Sequence, residues 1–204
     1  MYEKCFKRVL DIVLSFMALS ALSPFLLIFT VVGAIVMKGN PFFTQQRPGK
    51  DEKIFRLIKF RTMTCETDAQ GNPLPDEQRL TGYGRFLRST SIDELPELIN
   101  ILIGDMSIIG PRPLLVQYLP LYNEHQHRRH EVRPGLSGLA QVNGRNTVTW
   151  EQKFDYDVQY VDNITFLGDV KIVFDTIRVV FARDGISSQT SETMEDFLGT
   201  PTEV

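Results

Sequence analysis

The chain has 204 residues, a net charge of −3 and 43 % hydrophobic residues, enough for one domain with its own core plus a membrane element. That charge balance argues against a nucleic-acid binder. Two cysteines, Cys5 and Cys65, exclude a disulfide framework and lack metal-site spacing, so reduced thiols in a cytosolic setting are expected.

From Lys4 to Asp11 the sequence is amphipathic, with Phe6, Val9 and Leu10 among Lys4, Lys7 and Arg8. That pattern suits a helix at the headgroup boundary, and a plain positive flank explains it as well. Ile12 to Met37 is then a run of about 26 residues without a charge, long enough as a helix to cross a hydrocarbon core of roughly 30 Å. No cleavage-site pattern follows at Lys38-Gly39-Asn40-Pro41, so the run is expected to stay on the protein. Ser23-Pro24 interrupts it: Pro24 has no N–H for the Ser20 carbonyl, and the hydroxyls of Ser20 and Ser23 are placed to satisfy the freed groups. Lys4, Lys7 and Arg8 precede the run, and Lys38, Arg47, Lys50 and Lys53 follow it, so neither flank is poor in cations. A proline-kinked single pass and a re-entrant hairpin both fit these features.

Phe42–Gln46 and Lys53–Arg61 have strand character around Pro48-Gly49-Lys50-Asp51, predicting a small antiparallel hairpin. Its second strand ends in Lys59-Phe60-Arg61-Thr62-Met63, two cations and a hydroxyl at a strand end. Glu66–Gln78, with Gly71, Pro73 and Pro75, is a loop. Arg85 and Arg88 then stand shortly before Asp93-Glu94. Ser91-x-x-Glu94 matches a capping box, but Pro96 fits it poorly, since its ring or its missing N–H disturbs the first turns. Capping and catalysis both stand as readings of these acids.

Leu95–Met106 predicts a helix stopped at Gly104-Asp105. Gly110-Pro111-Arg112-Pro113 holds an arginine on a stiff loop suited to bidentate phosphate recognition, or simply serves as a rigid connector. Leu114–Val132 is amphipathic and ends in His125-Gln126-His127-Arg128-Arg129-His130. His125 and His127 fall on nearly opposite helical faces, so a solvated or headgroup-facing basic patch is expected rather than a metal site. Arg133–Asn146 is glycine-rich; such glycines let backbone approach a ligand, and Gln141, Asn143 and Arg145 add donors suited to a diphosphate or nucleotide. Gly168–Arg183 predicts a helix with Val170, Val173, Phe174, Ile177, Val180 and Phe181 on one face, core or interfacial, and Ile186–Val204 a loose polar tail.

The Lys59–Met63 stretch, Asp93-Glu94, Gly110–Pro113 and the Arg133–Arg145 stretch, in this order, resemble the bacterial sugar transferases, monotopic phosphoglycosyl transferases acting on polyprenyl phosphate. The resemblance runs from about Lys7 to Arg183. Its overall likeness is nearest to members that transfer N,N'-diacetylbacillosamine 1-phosphate in bacterial N-linked glycosylation. Leu139 departs from the tryptophan of many members, an alteration expected in packing rather than chemistry.

The resemblance implies transfer of a sugar 1-phosphate from a UDP-sugar to undecaprenyl phosphate with Mg²⁺, releasing UMP, and downstream glycosyltransferases as onward partners. It implies Asp93 as nucleophile through an acyl-phosphate, direct attack by the lipid phosphate being the rival. Glu94 is implied as metal ligand or base, with Asp93 a ligand of the metal as well. Lys59, Arg88, Arg112 and Arg145 are implied as phosphate clamps, beside Gln141 and Asn143. Asp157 matches a family position and would orient an arginine or the metal; a helix-surface acid near Lys153 is the plainer reading. The expected architecture is α+β, mainly helical: residues 1–38 a re-entrant membrane helix broken at Ser23-Pro24, 39–185 a catalytic domain, and 186–204 a tail. The expected place is the cytosolic face of the bacterial inner membrane.

Overall fold

The computed structural model of the chain describes residues 2–144, 148–182 and 196–199. Arg145, Arg183 and, of the 186–204 tail, all but residues 196–199 lie outside the described residues.

The apolar run belongs to one helix, α1 (Lys7–Val36), which continues through Pro24. No break of the helix occurs at Ser23-Pro24, because the side chains repair the lost bond. Ser23 Oγ donates to the Ser20 carbonyl at 2.8 Å, the group that Pro24 leaves without a donor. Ser20 Oγ donates to Phe16 O at 2.8 Å. The helix is inside-out. Asp11 and Ser15 are buried against the protein, while Phe16, Leu27, Ile28 and Ile35 point outward. Asp11 Oδ1 accepts the Ile108 N–H at 3.0 Å. Arg8 donates to the carbonyls of Ile101 and Leu102 at 2.6 and 2.9 Å, placing a cation on a helix C-terminus. Toward the other end, Tyr83 OH donates to Phe29 O at 2.7 Å.

The predicted hairpin forms from β1 (Phe42–Pro48) and β2 (Ile54–Phe60), antiparallel, with Phe42 opposite Phe60 and Pro48 opposite Ile54. α2 (Gly82–Ser89) is capped by Thr81, whose Oγ1 accepts the Gly84 N–H. Gly84 lies against the end of β2 so closely that a Cβ there would stand 1.9 Å from the Thr62 carbonyl oxygen. α3 (Glu97–Ile103) ends at Gly104 with φ 104°, the stop foreseen from sequence. Asn100 on α3 is fully buried and stands in for a third strand: it donates to Arg56 O and accepts from Ile58 N.

β3 (Ser107–Ile109) pairs in parallel with β4 (Gly135–Ser137), a pair too short to leave a periodic pattern. Between them, Leu114–Val132 is not one helix. Pro120 and the capping box formed by Asn123 and Gln126 divide it into short turns. α4 (Trp150–Asp162) begins in a second capping box, Thr149 with Gln152. α5 (Phe166–Ala182) is fastened to the N-terminus through Asp169, whose Oδ2 accepts from Tyr2 OH and Lys7 Nζ at 2.7 and 2.6 Å. Its foreseen apolar face points outward at Phe174 and Ile177, whereas Asp169 and Ile172 face the protein. The core joins Phe55 and Leu57 to Leu98, Ile101 and Met106, with Ala18, Leu19 and Leu22 of α1 packed on it. A second cluster joins Ile109, Tyr160 and Ile172, with Leu139 against it.

Candidate active site

Asp93 and Glu94 sit in a single turn, Ile92–Glu94, between α2 and α3. Ser91 before them is left-handed, with φ 55°, and its side chain caps nothing, so the capping-box reading fails. A non-glycine residue in that region costs about 1 kcal/mol and persists where the surroundings dictate it.

The two adjacent carboxylates have opposite environments. Glu94 Oε1 accepts from Lys59 Nζ at 2.9 Å and from Arg112 Nη2 at 2.5 Å. Burial alone would raise the Glu94 carboxyl, but Arg112 and Lys59 outweigh it and hold the group well below the usual carboxylate range. Asp93 has no hydrogen bond or ion pair among the described residues. Burial, and then the negative charge of Glu94, push it up to about 6 against the pull of Lys59, Arg112 and Arg88. One acid is clamped as a permanent anion; its neighbour is a basic carboxylate with free oxygens.

A third acid was missed by sequence reasoning. Glu97, at the start of α3, is 3 % exposed and pairs with Lys59 Nζ at 3.0 Å. Burial and Glu94 push it up to about 7, with Lys59 opposing. Nothing local betrays it, because its burial comes from β2 crossing over the helix start. Lys59 loses charge stability by desolvation, yet Glu94 and Glu97 leave it raised overall. Arg88 Nε donates to Thr62 Oγ1 at 3.1 Å, which ties α2 to the end of β2.

Arg112 is positioned from behind. Its carbonyl oxygen accepts from Arg129 Nη2 at 2.7 Å, and Arg129 in turn pairs with Asp157 at 2.7 and 3.0 Å. Both side chains of this pair are almost wholly buried. Asp157 is therefore not a helix-surface acid, and Arg129 is not part of a solvated basic patch. The histidines take separate partners: His125 with Asp155, His127 with Glu52, and buried His130 with Gly49 O. Burial lowers His130 to about 4, so it is neutral.

The glycines of the Arg133–Asn146 stretch have a packing use. A Cβ on Gly135 or Gly138 would stand 2.1 Å from backbone atoms of Gly110, so these glycines let two chain segments touch. Gln141 Nε2 donates to Leu136 O and Asn143 Nδ2 to Leu139 O.

A family model described as bacterial sugar transferase matches residues 2–183. The chain belongs to the bacterial sugar transferase family. The uncharacterized sugar transferase EpsL of Bacillus subtilis is 52 % identical over 194 residues, covering 95 % of this chain and 96 % of that protein. A UDP-glucose:undecaprenyl-phosphate glucose-1-phosphate transferase of Klebsiella pneumoniae is 38 % identical, over 84 % of this chain and 39 % of that protein. The undecaprenyl-phosphate galactose phosphotransferase of Salmonella typhimurium is 37 % identical, over 88 % of this chain and 41 % of that protein. The chain thus spans under half the length of the two relatives named by their reaction. The sequence expectation of a sugar-transferring enzyme is met at the level of the family.

For this sugar transferase, an all-protein metal cage does not fit: among the described residues no group of three or more His, Cys, Asp or Glu side chains is arranged around a metal position. A divalent ion shared between one or two carboxylates and the phosphates of a substrate does fit, because Asp93 is unpaired and Glu94 uses one oxygen for both its cations.

Proposed function

We propose that this sugar transferase moves a sugar 1-phosphate from a UDP-sugar to undecaprenyl phosphate in two displacements through Asp93. The observation that carries the proposal is the sorting of the two acids. With Glu94 held by Lys59 and Arg112, Asp93 is the carboxylate with free oxygens, raised to about 6 and still ionised at neutral pH. An Asp93 oxygen attacks the β-phosphorus, the bond to the bridging oxygen breaks, and UMP leaves with that electron pair. An oxygen of the lipid phosphate then attacks the same phosphorus and frees Asp93. Repulsion between carboxylate and diphosphate is the obstacle, and Arg112, Lys59 and Arg88 supply fixed positive charge against it. Mg²⁺ held by Glu94 or Asp93 together with the donor phosphates would supply the remaining charge neutralisation.

The packing of α1 supports a monotopic placement at the cytoplasmic face of the inner membrane. The catalytic domain bonds to α1 at Arg8 and Asp11 near one end and at Phe29 near the other. A helix of 30 residues is about 45 Å long, so a spanning α1 would drag polar parts of that domain through the bilayer. The two native cysteines, Cys5 and Cys65, are both exposed and report the topology directly. A membrane-impermeant maleimide added to spheroplasts should leave both unlabelled and should label both in inverted vesicles. Labelling of Cys5 alone in spheroplasts would refute the monotopic placement.

For the donor, the sequence resemblance points to UDP-N,N'-diacetylbacillosamine and hence to N-linked glycan assembly. The names of the Klebsiella and Salmonella relatives carry glucose and galactose. A panel of these UDP-sugars with undecaprenyl phosphate, read by UMP release, decides. Turnover restricted to UDP-glucose or UDP-galactose would remove the bacillosamine assignment.

A further inference from the structure

Four aromatic rings wall a slot behind Arg112, to which Arg129 links it. Tyr118 and Tyr122 come from the irregular 114–132 segment, and Trp150 and Phe154 stand one turn apart on α4. Phe197 fills this slot from far along the chain. Its ring centroid lies 5.8, 5.9, 5.4 and 5.1 Å from those of Tyr118, Tyr122, Trp150 and Phe154, and the residue is 2 % exposed. Asp196 accepts a hydrogen bond from Tyr118 OH at 2.8 Å. Immediately beyond, the hold is gone: Leu198 is 88 % exposed, and a Cβ on Gly199 would meet nothing within 4 Å. Among the described residues, the Phe197 ring, the Asp196 carboxylate and a backbone hydrogen bond from Phe197 to Tyr118 fasten the segment.

Arg112 joins the slot to the reacting centre. Its guanidinium is on Glu94, while its carbonyl oxygen is held by Arg129, whose guanidinium lies 5.9 and 5.7 Å from the ring centroids of Tyr122 and Phe154. Slot and catalytic turn therefore sit at the two ends of one arginine. β1 packs on the Val116–Leu121 turn, and Arg47 of β1 is near enough to Tyr118 and Tyr122 to feel their charge. The buried Arg47 Nε makes no hydrogen bond among the described residues, whereas the Tyr122 hydroxyl has the Arg129 guanidinium as a partner. A buried polar atom without a partner is costly, and a ligand bearing oxygen acceptors would satisfy it. A planar ring edged with carbonyl oxygens and attached to phosphate is a pyrimidine nucleotide, and such rings stack on aromatic side chains. Asp196-Phe197 offers the same pair of features, an anion next to a flat ring.

We propose that the slot of Tyr118, Tyr122, Trp150 and Phe154 receives the uracil ring of the donor, and that Phe197 with Asp196 is a tethered competitor which the donor displaces. The proposal rests on the UDP-sugar reading given above. No covalent step is involved; one ring leaves the slot and another enters it.

Trp150 is the single tryptophan of the chain, so its fluorescence reads the occupant of the slot. The probe is UMP, titrated into the full-length enzyme in detergent. Phe197→Ala should change Trp150 emission in the free enzyme and tighten UMP binding about tenfold, equivalent to about 1.4 kcal/mol. The KM for the UDP-sugar should fall in parallel, with kcat within about twofold, since a KM change without a kcat change marks a ground-state competitor. A peptide of residues 190–204 added to Phe197→Ala should raise the KM again. Unchanged or weaker UMP binding by a folded Phe197→Ala enzyme overturns the proposal and makes Phe197 a permanent core residue. Should that variant fail to fold, Asp196→Asn reads the same competition: UMP binding tighter by roughly two- to tenfold supports it, and unchanged or weaker binding overturns it. UMP release from a UDP-sugar by the same preparations keeps the two readings apart. Turnover without any Trp150 response to UMP removes the slot and leaves the donor reading; absence of turnover with every UDP-sugar removes the donor reading itself.

Discussion

Replacing Asp157 with asparagine should separate the fold from the chemistry through the Asp157–Arg129 pair. The pair is held by two contacts of 2.7 and 3.0 Å, and the side chains are 4 % and 2 % exposed, so solvent screens it little. Removing one partner of such a pair costs about 3–5 kcal/mol, because the other charge stays buried. Asparagine keeps one acceptor oxygen, so the low end, about 3 kcal/mol, applies. For a chain of this size that is a Tm lower by roughly 6–12 °C. The double change Arg129→Met with Asp157→Leu removes both charges and should return stability to within about 2 kcal/mol of the parent. It also removes the donor to the Arg112 carbonyl, so kcat/KM should stay down by about tenfold. Thermal unfolding in detergent and UMP-release kinetics measure the two effects. A Tm for Asp157→Asn within 2 °C of the parent, or a double variant with full activity, would refute this role for Arg129.

The pH profile should show the nucleophile. Asp93 must be ionised, so kcat/KM should rise with pH through about 6, and Glu94→Gln should move that limb to lower pH in the residual activity because the charge that raises Asp93 is gone; an unmoved limb counts against the assignment. Glu97 has a folded pKa of about 7, above its unfolded value, so its protonation contributes stability that is lost as pH rises through 7. Glu97→Gln should therefore cost less stability at pH 8 than at pH 5, and the reverse order in denaturant melts would contradict its burial. Gly84→Ala would place a Cβ 1.9 Å from the Thr62 carbonyl, whereas Gly82→Ala meets nothing within 4 Å. The first should cost about 3 kcal/mol or more and the second under about 1 kcal/mol in the same melts; equal losses would show that α2 does not press on the end of β2.

What the sequence carried legibly was local. Turn chemistry at Pro48–Asp51 set the hairpin, Gly104 stopped α3, and Asp93-Glu94 stood out beside a proline that spoiled their capping role. The rest depended on contacts between distant segments. Glu97 is one acid on a short helix until β2 lays Lys59 over it. Arg129, inside a basic run, looks solvated until α4 brings Asp157 to it. At Gly135 and Gly138 the glycine signature marks close approach of backbone to backbone, which sequence alone does not separate from approach to an anion. Two further signals lie in the sequence. Pro120 and Asn123-x-x-Gln126 divide the 114–132 segment, and Arg8, Asp11 and Ser15 form a polar stripe at helical spacing on an apolar helix. That stripe marks the side of α1 turned to the catalytic domain.

The most direct test of covalent transfer is intact-protein mass spectrometry of enzyme mixed with Mg²⁺ and UDP-sugar, without undecaprenyl phosphate, and quenched in acid. The expected spectrum carries one added sugar phosphate, mapped by peptide fragmentation to Asp93, absent from Asp93→Asn and discharged when undecaprenyl phosphate is added before the quench. An enzyme that releases UMP only when the lipid acceptor is present and never carries the adduct, or carries it on Glu94, would contradict Asp93 as the nucleophile.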